Sequence, residues 1–131
     1  MSKNLFAIVT LISTGILAAN ISIAKEKQPI NSLNKSIEQH HVQLKGSGVI
    51  THKIGNIVAA QRLERGQYEV SFGRDMSQCI FNATVANSGS STLIVVSNRF
   101  NNPKAAFIKT INSTNGIVTN KGFNLSAFCP S

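Results

Sequence analysis

From residue 42 to the end, apolar and polar residues alternate with a period of two, interrupted at short intervals by glycine, asparagine and serine. That period sends successive side chains to opposite faces of an extended chain, so it predicts strands with one buried face. Val42 and Leu44 open the pattern, which stops at Gly46-Ser47-Gly48. Val49-Ile50-Thr51-His52 reads as extended and Gly55-Asn56 as a turn; Ile57 to Leu63 is β-compatible, and Glu64-Arg65-Gly66-Gln67 turns the chain. Tyr68-Glu69-Val70-Ser71-Phe72 is the clearest strand, with three large residues on one face and two polar ones on the other. Cys79 to Val85 resumes the alternation after a Gly73–Ser77 break. Thr92 to Val96 is a short apolar run with a β-branched bias, consistent with a buried central strand. Ala105 to Ile111 and Phe123 to Cys129 complete the set, with Asn115-Gly116 a tight-turn signal between them. About seven short strands and no convincing helix after residue 45 predict an all-β fold, a small antiparallel sandwich or barrel over 42–131.

Residues 25–41 lack this period. They are polar, include Pro29, and place Leu33, Ile37 and Leu44 at roughly helical spacing. A helix that short is marginal alone, so the segment reads as a linker or arm. Before it, Met1-Ser2-Lys3-Asn4 is a basic opening, Leu5 to Ala19 carries no charge, and Ser22-Ile23-Ala24 supplies small residues at a cleavage site. Those three parts make a secretory signal peptide over 1–24, with a mature chain starting at Lys25. The competing reading is an uncleaved anchor, since Leu5 to Ala24 is long enough to span about 30 Å as a helix. Cleavage predicts an exported protein, periplasmic or extracellular, with no stable membrane insertion afterwards.

Composition sharpens this picture. The chain has 131 residues, 42% of them hydrophobic, enough for one packed domain. Only 14% are charged, yet Lys and Arg outnumber Asp and Glu by 13 to 5. A small exported domain buries too little surface to be very stable, which directs attention to Cys79 and Cys129, the only cysteines. An oxidising compartment favours pairing them, and the bond predicted is a structural one. Neither a C-x-x-C motif nor a sequence-adjacent histidine argues for a reactive thiol.

Gly66-Gln67-Tyr68-Glu69-Val70-Ser71-Phe72-Gly73-Arg74-Asp75-Met76-Ser77-Gln78-Cys79, with Phe123-Asn124-Leu125-Ser126-Ala127-Phe128-Cys129, resembles a pattern of small β-rich domains in exported bacterial proteins. The pattern is G-x-Y-x-V-x-F-x-R-D-x-S-x-C followed by F-x-L-x-x-x-C, and it covers about residues 45 to 131. The resemblance implies a β fold and a disulfide, and no function.

Candidate chemistry is sparse. Asp75 sits in a turn, where aspartate bonds nearby backbone N–H groups, and no two carboxylates are spaced to suggest a hydrolytic pair. His40 and His41 point to opposite faces of a regular strand and read as solvent-exposed; His41 and His52 can meet across a hairpin, but no third metal ligand is evident, so no metal or other cofactor is expected. Positive charge remains. Nine cations from Lys45 to Lys121 face three acids over the β domain. Arg99-Phe100-Asn101-Asn102-Pro103-Lys104 joins cations, an aromatic ring and amides, so Arg99, Phe100 and Lys104 are candidate binding residues. The alternative for Phe100, favoured by the value of aromatic burial, is that it folds into the core. The sequence therefore predicts a non-enzymatic exported domain that binds something anionic: an envelope polysaccharide, a host glycan or an acidic protein surface. Alternatives are a structural or assembly module joined through a sheet edge, and a small secreted enzyme or inhibitor with an unidentified site. No motif for specific nucleic-acid recognition is present.

Overall fold

The computed structural model describes residues 36–86 and 91–131. The signal peptide read at 1–24, most of the arm and the loop 87–90 lie outside the described residues. Eight strands run β1 (Ile37–Leu44), β2 (Ile50–Ile54), β3 (Ile57–Glu64), β4 (Gln67–Phe72), β5 (Ile80–Val85), β6 (Thr92–Arg99), β7 (Asn102–Asn112) and β8 (Phe123–Pro130). They form two four-stranded sheets, ordered β2-β1-β8-β5 and β3-β4-β7-β6. Every strand pair is antiparallel. The all-β fold is as the period of two implied, and among the described residues no helix occurs.

One core joins the sheets. Val42, Leu44, Phe123, Leu125 and Ala127 from the first sheet meet Tyr68, Val70, Phe72, Ala106 and Ile108 from the second. Tyr68 packs edge-on against Phe123, ring centroids 5.1 Å apart, a geometry that matches ring edges to faces. Cys79 and Cys129 are bonded, with sulfurs 2.07 Å apart and Cα atoms 4.3 Å apart. The bond ties the start of β5 to the end of β8 at one end of the core, against buried Met76, whose Sδ lies 3.8 Å from Cys79 Sγ.

Three local readings change. β1 begins at Ile37, inside the segment whose residues lack alternation, because its backbone pairs with β8 from Ile37↔Pro130 to Leu44↔Phe123. Backbone pairing needs no apolar pattern, and the first three side chains of β1 are exposed. β6 is an edge strand rather than a central one: Leu93 and Val95 are 57% and 50% exposed while Ile94 and Val96 pack against the core. A continuous apolar run does not distinguish two buried faces from one buried and one exposed. Phe100 is 84% exposed, so the expectation of a core-packed ring is overturned. It occupies the apex of the β6–β7 hairpin beside Asn101, whose φ is 58°.

Candidate functional site

Alternation of strand direction gathers the loops at the two ends of the sandwich, about 25 Å apart for eight-residue strands. The β6–β7 hairpin is at the end that holds the disulfide. There the candidate trio is separated by function. Arg99 Nε donates to Glu69 Oε2 at 2.9 Å, and its guanidinium lies 5.5 Å from the Phe107 ring centroid. Its charge is therefore committed to the outer face of the second sheet. Phe100 and Lys104 remain exposed. Beside them Arg74 pairs with Glu38 and donates to the Pro130 carbonyl at 3.0 Å. Asp75 is a turn cap: its Oδ1 accepts the Ser77 N–H at 2.8 Å. Hydrogen bonds from Ser77, side chain first and then backbone, hold its carboxyl below the ordinary value.

His40 is not solvent-exposed as its sequence context suggested. It is 1% exposed, with Nδ1 accepting the Asn56 N–H at 3.0 Å and its ring 5.7 Å from that of Phe72. Nε2 lies 3.4 Å from Glu38 Oε1 without a formed hydrogen bond. The acceptor role of Nδ1 places the proton on Nε2. Burial and a backbone partner make it a structural residue that locks β1 to the β2–β3 turn. His41 faces the other way, as alternation required.

The opposite end assembles what the sequence scattered. Tyr68 Oη donates to the Gly46 carbonyl at 2.9 Å and accepts the Lys121 N–H at 3.2 Å. Gly66 N–H donates to Asn120 Oδ1 at 2.6 Å. Two glycines permit this closeness. A Cβ on Gly66, at φ 62°, would stand 2.6 Å from the Thr119 carbonyl, and one on Gly48, at φ 88°, 2.7 Å from the Arg62 nitrogen. The backbones carrying Lys45, Arg62, Arg65 and Lys121 thus converge, with Glu64 the one acid among these turns. Lys45, Arg62 and Arg65 are exposed and Lys121 half-buried. Among the described residues the ion pairs engage Arg74 and Arg99, none of these four. An open cleft of about 520 Å³ lies at this end, lined by Gln43, Lys45, Gly46, Thr51 and Gly122 among others.

Sequence reasoning missed this cluster because the four cations lie in four separate turns or strand ends. One signal was available: Lys45-Gly46, Arg65-Gly66 and Lys121-Gly122 each place a cation directly before a loop glycine. Among the described residues no group of three or more His, Cys, Asp or Glu side chains is arranged to hold a metal. No family model, no curated protein and no solved structure matches the chain.

Proposed function

We propose that this is an exported, disulfide-stabilised β domain that binds an anionic polymer or surface through the end of the sandwich carrying Lys45, Arg62, Arg65 and Lys121. The observation that supports it is the convergence of four cations that, among the described residues, lie outside any ion pair, around a single acid. Clustered charge in water attracts polyanions over a Debye length of about 8–10 Å near physiological salt, without needing an enclosed pocket. An envelope polysaccharide, a host glycan and an acidic protein surface all offer the required repeated anions. Export rests on the signal-peptide reading of residues 1–24 and on the disulfide, which is compatible with an oxidising compartment. The test is retention on heparin and on purified envelope polymer across a salt series. Wild type should elute later than Lys45→Gln/Arg65→Gln/Lys121→Gln, with the gap closing as salt rises. Equal retention of the two proteins removes the assignment to this end.

A second reading is supported by β6. Its outward Leu93 and Val95 stand on an edge strand with no second neighbour among the described strands, where the backbone beyond Thr92 can pair with another strand. In that reading the protein assembles through β6. Sedimentation would show a partner-dependent or self-associated species abolished by Val95→Lys, whereas the polyanion reading leaves mass unchanged.

A further inference from the structure

The outward positions of β1, β2, β8 and β5 carry no Lys, Arg, Asp or Glu. On this uncharged face the fold sets two histidines side by side. His41 pairs with Ile54 and Gln43 with His52, so the two imidazoles are diagonal neighbours across the β1–β2 hairpin. Their ring centroids are 6.2 Å apart, tilted by 55°. His52 is exposed and His41 half-buried, so both are reachable from solvent.

The geometry points to a two-imidazole site for a divalent transition metal, formed by His41 and His52. With metal–nitrogen bonds of about 2.0 Å, two imidazoles sharing one ion have ring centroids roughly 4.5 Å apart when cis and roughly 6.4 Å when trans. The observed 6.2 Å lies near the trans end of that span and above the roughly 5.2 Å of a tetrahedral ion, so the exposed His52 ring turns toward His41 to close a cis or tetrahedral site. His41 is prepared for the role by its other nitrogen: Nδ1 lies 3.1 Å from Ser126 Oγ. In the tautomer with Nδ1–H, the serine oxygen accepts that proton and Nε2 keeps its lone pair for a metal. An outer hydrogen bond of this kind fixes the tautomer and orients the ring. No cation on the face opposes a second positive charge. Two protein nitrogens leave the remaining positions to water or to an oxygen donor of a bound molecule. Imidazole selects borderline metals, and affinity should follow Cu²⁺ above Ni²⁺ and Zn²⁺. The site stands apart from the polyanion reading and does not depend on it.

The decisive experiment uses the untagged full chain, stripped of metal with a chelator, and titrates Cu²⁺, Ni²⁺ and Zn²⁺ by calorimetry. Electron paramagnetic resonance of the Cu²⁺ form counts the coordinated nitrogens. One equivalent of Cu²⁺ with two imidazole nitrogens is expected, weakened at least tenfold in His41→Ala and in His52→Ala. His52→Ala is the safer variant, since that side chain is exposed, and circular dichroism checks that both variants fold. The proposal is overturned by absence of one-equivalent binding in wild type, by unchanged affinity in folded His52→Ala, or by a spectrum with a single nitrogen donor.

Discussion

Tyr68 and Lys121 are joined by a hydrogen bond from the Lys121 backbone N–H to the Tyr68 phenol oxygen, 3.2 Å long, although 53 residues separate them. The same oxygen donates to the Gly46 carbonyl, so one wholly buried side chain fastens two loops of the basic end to the core. Tyr68→Phe keeps the ring packing against Phe123 and leaves both loop groups without that partner. Gly46 and Lys121 are only half-buried, so each lost hydrogen bond costs about 0.5–1.5 kcal/mol. Urea denaturation should show a loss of that order, and polyanion retention should fall because Lys45 and Lys121 are no longer held together. Unchanged retention in the folded variant would show that this fastening is irrelevant to binding.

Arg99 and Lys45 should behave oppositely on substitution. Arg99→Gln breaks the pair with Glu69, a partly exposed interaction worth about 0–1 kcal/mol after solvent screening. Its effect should appear in melting temperature and hardly in salt-dependent retention, beyond the loss of one charge. Lys45→Gln should change retention and leave melting unaltered. Both are read from the same two assays.

Phe100→Ala should be silent in stability, within about 0.5 kcal/mol, as expected for a side chain standing in solvent. A core phenylalanine would cost about 3–5 kcal/mol. If the ring stacks on a sugar or base, the fraction of retention that survives high salt should disappear with it. Thermal unfolding and the high-salt end of the retention series measure the two effects separately.

Removing the Cys79–Cys129 bond opens a loop with a sequence separation of 50. Loop-closure entropy alone assigns roughly 4 kcal/mol to such a crosslink. The paired Cys79→Ser/Cys129→Ser variant should lose a stability of that order, with Met76 left against two hydroxyls. Unfolding curves that coincide for wild type and variant would contradict it.

The Asp75 carboxyl titrates lower in the fold than in the unfolded chain, because Ser77 hydrogen-bonds its ionised form. A depressed folded pKa contributes stability that is complete above the ordinary value of 3.8 and is lost as pH falls through the lowered one. Melting temperature should therefore drop less steeply below pH 4 in Asp75→Asn than in wild type. Identical acid limbs would mean that the turn bond makes no contribution.

Taken by itself, the sequence determined the all-β class, the faces of the alternating strands and the cysteine pair. Alternation at Tyr68–Phe72 and Phe123–Cys129 sorts side chains by hydration, and hydration is a local property of each residue. Chain order and two cysteines leave a single pairing. Only the tertiary structure decided which strands are neighbours, and every further outcome followed from that. β1 extends to Ile37 because β8 lies beside it for its whole length; β6 is an edge because, among the described residues, no strand pairs beyond it. His40 is buried and Phe100 exposed against their local context, since one sits under a turn from another strand pair and the other on a hairpin apex. The convergence of Lys45, Arg62, Arg65 and Lys121 depends on contacts between turns and strands apart in sequence, whereas the meeting of His41 with His52 across one hairpin was already open to the sequence. Such proximity is a property of sheet order and register, which single-residue preferences do not encode.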